Sequence, residues 1–132
     1  MINKVKFRDQ FSYFDKEVVV EIIDIFKDEY PKRIETITRC IRQNDLISLR
    51  KAAHAFKGVI SNFDLEGESY QLIKDIEIQA HRLEDEINEG FKVSELEMAN
   101  IFASLESIFL SFKTASAQLF NELMEIQAEY KA

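Results

Sequence analysis

Residues 52 to 58 read AAHAFKG, and they carry the side chains best suited to chemistry in this chain. Neutral imidazole is a nucleophile near neutral pH, because its unperturbed pKa is about 6.5. Lys57 follows His54 by three residues, one helical turn on, where an ammonium can offset negative charge placed on the ring. Gly58 stands in an otherwise helical stretch, although glycine in a helix costs roughly 1 kcal/mol relative to alanine. A missing side chain one turn beyond the histidine keeps the approach to it open. A nucleophile, a cation and clearance for a partner's active site together suit phosphoryl chemistry.

The surrounding segment must be a helix for that geometry to hold. Leu46, Leu49, Ala53, Phe56, Ile60 and Phe63 recur at alternating spacings of three and four, which makes a heptad-like seam. At 3.6 residues per turn, His54 falls about 130° from the centre of that seam and faces solvent or the shoulder of the bundle. Arg50 lies one turn before it, Ser61 continues the same side and Lys51 lies further round. An acidic protein thus concentrates Arg50, Lys51 and Lys57 around one exposed imidazole.

The rest of the chain predicts further helices. The first dozen residues read as a loose lead-in, strapped to the body by Phe7, Phe11 and Phe14. Asp15 can cap a first helix running to Tyr30, with Val19, Ile22, Ile23 and Phe26 at helical spacing. Pro31 breaks that pattern and starts a new helix, which buries Ile34, Ile37 and Ile41. Asn44 and Asp45 form a turn, with Asp45 as N-cap of the histidine-bearing helix. After a turn at Asp64 to Gly67, a helix from Ser69 to Asn88 carries Ile73, Ile76, Ala80, Leu83 and Ile87. Gly90 ends it. Ser94 caps the last helix, with Glu97 completing a capping box. There Met98, Phe102, Leu105, Phe109, Phe112, Ser116, Leu119, Leu123 and Ile126 keep the seam, and the far end is expected to fray or project. Short links favour antiparallel neighbours. The expected fold is all-α, an antiparallel up-down four-helix bundle with a short additional N-terminal helix. Residues 1–14 would be the lead-in and 15–130 the bundle domain.

Composition agrees and excludes alternatives. The chain has 132 residues, enough for one domain, and 46% of them are hydrophobic. Three glycines and one proline leave little material for the turns of an all-β fold. A net charge of −7 argues against nucleic acid as the ligand. Cys40 is the one cysteine, so no internal disulfide forms, and a reducing compartment is expected. The N-terminal MINKVKFRDQF lacks the apolar run of a signal peptide. No stretch approaches the ~20 apolar residues of a membrane span. The expectation is a cytoplasmic protein, and a starting Met1 favours a free-standing one over a domain cut from a larger chain. No glycine-rich nucleotide loop is present, so a kinase is excluded. His81, among Glu77, Glu84 and Asp85, reads as a surface histidine in helix ion pairs. The Glu-x-x-His pairs of di-iron bundles are missing, because Lys51 and Ile78 stand three before the two histidines, and no metal site is expected.

His54-Ala55-Phe56-Lys57-Gly58 resembles the H-x-[apolar]-K-G motif of histidine-containing phosphotransfer (HPt) domains. Upstream NDLISLRKAA and downstream Ser61-Asn62-Phe63 are also similar to that family, and the resemblance spans roughly Asp15 to Leu123. One departure is Asp64, where many members carry a second glycine. The resemblance implies a relay: such domains accept a phosphoryl group from a receiver-domain phospho-aspartate and pass it to another receiver, in a multistep two-component phosphorelay. It implies no kinase activity and no cofactor, with Mg²⁺ expected in the partner receiver. His54 would be the phosphoacceptor and Lys57 would steady the phosphoryl charge. Gly58 would give clearance, and Arg50, Lys51 and Ser61 would meet the partner. Glu77, beside seam residue Ile76, is the candidate to orient the imidazole. Response-regulator receiver domains and a hybrid sensor histidine kinase are the implied partners of a monomer, with neither nucleic acid nor membrane. The dimerisation domain of a sensor kinase is disfavoured, because acidic and Pro-containing residues are missing beside His54. A non-catalytic helical adaptor that binds receivers or kinases, and a structural bundle with an incidental histidine, stand as alternatives.

Overall fold

The computed structural model describes residues 2–132. Its elements are α1 (Lys4–Gln10), α2 (Lys16–Arg42), α3 (Leu46–Ser61), α4 (Glu68–Asn88) and α5 (Glu95–Lys131). Helices α2 to α5 pack around a square, α2 against α3, α3 against α4, α4 against α5 and α5 against α2. The seams point inward: Leu49, Ala53, Phe56 and Ile60 from α3 meet Ile73, Ile76 and Ala80 from α4, all fully buried. The α5 seam is buried from Phe102 to Ile126, with Met98 only half-buried at its start. Ser116, an apparent flaw in that seam, is explained by Tyr30, whose hydroxyl shares a 2.7 Å hydrogen bond with Ser116 Oγ. Ile87, expected on the α4 seam, lies outside the core and is exposed.

The turns follow local chemistry. Asn44 takes φ +52°, a left-handed conformation that asparagine tolerates, and Asp45 accepts from the Ser48 N–H as N-cap. Gly90, at φ +91°, closes α4, and the Phe91 N–H returns to the Glu86 carbonyl. Ser94 Oγ accepts from the Glu97 N–H at 3.1 Å, and the two side chains meet at 3.2 Å. Asp15 sits at the N-cap of α2 without a side-chain cap hydrogen bond.

Three expectations are corrected. Pro31 does not break the chain into two helices; it lies inside the continuous α2. Proline removes the N–H that would bond to the Lys27 carbonyl. Its ring is exposed, however, and buried residues on both sides, Val19, Ile23 and Phe26 before it and Ile37 and Cys40 after it, hold both halves against the core. The short leading helix placed at Asp15–Tyr30 is therefore the first half of α2. The true short helix, α1, lies within the lead-in, which is therefore not loose. It buries Phe7 and Phe11, whereas Phe14 stays half-exposed. Finally, the far end of α5 does not project. Tyr130 meets the Phe7 ring at 6.2 Å, the Ile2 N–H donates to Glu122, and Glu129 pairs with Lys4 and Arg8.

Asp64, the departure from the family motif, is accommodated by Gly67: a Cβ at Gly67 would run into the Asp64 carboxylate. Burial, and then the charges of Glu122 and Glu66, push Asp64 above the usual carboxylate range despite attractive contacts.

Because α2 lacks one hydrogen bond at its only proline, Pro31→Ala should stabilise the protein by about 1–3 kcal/mol. Urea unfolding followed by circular dichroism would measure the change.

Candidate functional site

His54 stands near the middle of α3 with its side chain 69% exposed. Phe56 and Ala53 beside it are buried, which fixes the helix face that His54 shares with Arg50 and Lys57. The antiparallel α4 brings Glu77 to that face. Glu77 Oε1 lies 2.9 Å from His54 Nδ1, and Oε2 lies 2.9 Å from Lys57 Nζ. One carboxylate therefore holds both the imidazole and the ammonium. Burial works against its charge, but the contacts with Lys57 and then His54 outweigh burial and hold Glu77 below the usual glutamate range.

An ionised carboxylate can only accept hydrogen bonds. In the neutral imidazole, Nδ1 must then carry the ring proton and donate it to Glu77. Nε2 is left with its lone pair free, on a ring that is mostly in solvent. The arrangement selects one tautomer and offers one nitrogen as nucleophile.

The other candidates take different places. Arg50 forms an ion pair with Glu84 across the α3–α4 groove, so its charge is already engaged. Lys51 is exposed, with no carboxylate in ion-pair range among the described residues. Ser61 is half-buried and donates to the Gly58 carbonyl at 2.6 Å, which closes the end of its own helix. A Cβ added at Gly58 would meet nothing within 4 Å, so the fold itself has no need of this glycine. His81 approaches Asp85 at 3.5 Å. Among the described residues, no three or more His, Cys, Asp or Glu side chains are grouped to hold a metal ion.

The sequence reading places Glu84 only beside His81, though a signal for its pairing with Arg50 exists. Arg50 precedes Lys57 by one heptad and Glu84 follows Glu77 by one heptad, so an antiparallel pairing that joins Lys57 to Glu77 also joins Arg50 to Glu84.

Fold and site together define a helical bundle that displays one oriented imidazole to solvent. The Hpt domain family matches residues 21–132, most of the chain, and the chain belongs to that family. Comparison with curated proteins and with solved structures finds no match. Membership gives the chain a histidine phosphotransfer role in a phosphorelay, with receiver domains or histidine kinases as the class of partner. No helix among the described residues is long and apolar enough to cross a membrane.

The depressed pKa of Glu77 has a consequence for stability. The stabilisation from its charge is fully present above the ordinary glutamate pKa, about 4.3, and is lost as pH falls through its lower folded value. Glu77→Gln should be less stable than the wild type at pH 7, and the difference should shrink as the pH is lowered toward 3. Urea unfolding of both proteins across that range checks it.

Proposed function

We propose that His54 is the phosphoacceptor of a monomeric, cytoplasmic relay that moves a phosphoryl group between the aspartates of two receiver domains. The observation that carries this is the Glu77 contact, which engages Nδ1 and leaves Nε2 free on an exposed ring. The buried, unpaired Cys40 suits the reducing compartment in which such a relay would work.

The chemistry balances without moving a proton. The Nε2 lone pair attacks the phosphorus of a receiver phospho-aspartate. The Nε2–P bond forms, the P–O bond to the aspartate breaks, and the aspartate leaves as a carboxylate. Nδ1 keeps its hydrogen throughout, so the ring becomes a phosphorylated imidazolium whose positive charge faces Glu77. In the second half, the carboxylate of another receiver attacks phosphorus and neutral imidazole departs with the same hydrogen in place. Mg²⁺ and the acidic pocket belong to the receiver. Glu77 acts as a positioning residue. Lys57, beside the ring, offsets the phosphoryl charge. Gly58 leaves room for the receiver to close over Nε2, and exposed Lys51 is a cation available to an acidic partner surface.

The deciding experiment incubates the full chain with Mg²⁺ and labelled phospho-receivers. Label that survives alkali but not acid should appear on the wild type and be absent from His54→Gln, while circular dichroism shows an intact bundle. Label persisting in His54→Gln would refute the assignment. Receiver binding without any label would leave a non-catalytic adaptor, and neither binding nor label would leave a structural bundle.

Gly58 supplies a second test with opposite signs. Gly58→Ala should raise stability by up to about 1 kcal/mol, because the helix improves and the new methyl group meets nothing. It should also slow phosphotransfer, as read by single-turnover kinetics against the same receiver.

A further inference from the structure

The pole of the bundle formed by the α2–α3 and α4–α5 turns carries features that phosphotransfer does not use. Ile47 in the first turn of α3 and Ile87 in the last turn of α4 are 52% and 41% exposed. With Leu46 they line a groove of about 230 Å³ between the two helix ends. Phe91, just past the Gly90 turn, is 63% exposed. This apolar ground is flanked by carboxylates. Asp45 and Glu84 line the groove, and Asp85, Glu86 and Glu89 crowd the end of α4.

The placement of those acids is unfavourable for the helix. A helix C-terminus is the negative end of the macrodipole and is stabilised by cations, yet the last turn of α4 has no basic residue. Asp85 and Glu89 also stand four apart, and Glu86 and Glu89 three apart, so like charges face each other along the helix. Arg50 occupies Glu84, and His81 relieves Asp85 only when protonated. Glu86 and Glu89 have no ion-pair partner among the described residues, and Arg82 makes none. Lys92, beyond Phe91, opposes them in that turn, and Arg39 and Arg42 end α2 at the same pole, across the groove from the acids of α4.

We propose that this pole is a docking surface for a cationic amphipathic segment of a partner protein. The segment seats apolar side chains between Ile47 and Ile87 and lays lysine or arginine side chains against Glu86 and Glu89. The charge pattern at the end of α4 selects this occupant: there the unpaired Glu86 and Glu89 repel anionic lipid and nucleic acid and attract a cationic segment. The inference is independent of phosphotransfer at His54.

The test titrates the full, isotope-labelled chain with an amphipathic helical peptide of leucine and lysine, read by amide chemical shifts. Saturable changes are expected at Ile47, Ile87 and Phe91, with unchanged affinity in His54→Gln. Glu86→Lys combined with Glu89→Lys should weaken binding by about tenfold or more while raising Tm, which separates lost binding from lost folding. Ile47→Ser combined with Ile87→Ser should weaken it as well, since both side chains are exposed. The proposal is overturned by shifts centred elsewhere, by indifference to the charge reversal, by equal binding of a leucine–glutamate peptide, or by no saturable binding. Concentration-dependent dimerisation abolished by Ile87→Ser would also overturn it, in favour of self-association.

Discussion

The site depends on one register, the antiparallel alignment of α3 and α4, because Glu77 on one helix must meet two groups on the other. Two kinds of force act on that alignment, and their magnitudes separate their roles. Ion pairs that are partly exposed contribute about 1 kcal/mol or less. Each fully buried Phe or Ile at the interface contributes about 1.5–3 kcal/mol, and Phe56, Ile60, Ile73 and Ile76 are all fully buried there. Apolar packing therefore sets the register, with Ala53 and Ala80 as small residues in the same interface. The pairs Lys57–Glu77 and Arg50–Glu84, one heptad apart and in opposite order on the two helices, decide which polar groups face each other within it.

The neighbouring helices serve the same end by a different route. α2 and α5 are longer than α3 and α4, so their outer halves pass beyond the ends of the shorter pair. Without a cover, Phe63 and the last turns of α5 would face water. α1 supplies the cover: the Phe7 and Phe11 rings each lie 6.4 Å from Phe63, which Phe26 meets from α2 at 5.3 Å. The ion pairs of Lys4, Lys6 and Arg8 with Glu129 and Glu66 are exposed and add little beside these rings. α1 lies ahead of the residues matched by the family, yet its phenylalanines belong to the same core.

Much of this was legible from periodicity. The alternation of threes and fours in α3, α4 and α5 located the buried faces, because burial repeats with the helical turn. The same wheel put His54 outside. What periodicity could not supply was tertiary compensation. Pro31 is a genuine local penalty, and only packing on both sides of it shows that the helix continues. The lead-in is too short and polar to read as a helix alone; its two buried phenylalanines acquire a partner only when Phe63 is in place. Asp64 reads as a disturbance of the loop until the fold brings its carboxylate into the space left by Gly67, three residues later. Arg50 read as a free cation because pairing across helices is invisible until the register is known.

The identity of the residue that meets Nδ1 has a chemical consequence of its own. An amide can donate or accept and would tolerate either imidazole tautomer, whereas a carboxylate admits only the one with hydrogen on Nδ1. Glu77 thereby leaves Nε2 as the ring nitrogen with a free lone pair, but it also places negative charge close to where, on the proposed mechanism, a phosphoryl group would arrive. On that mechanism Lys57 would resolve the conflict. It is held 2.9 Å from the same carboxylate in the resting protein, so the compensating charge is already at the site. A phosphoryl group carries about −1.5 to −2 charges at neutral pH and would compete for that ammonium against a single carboxylate. The cation need only shift between adjacent anions, and a three-residue spacing on one helix is what keeps it within reach of both.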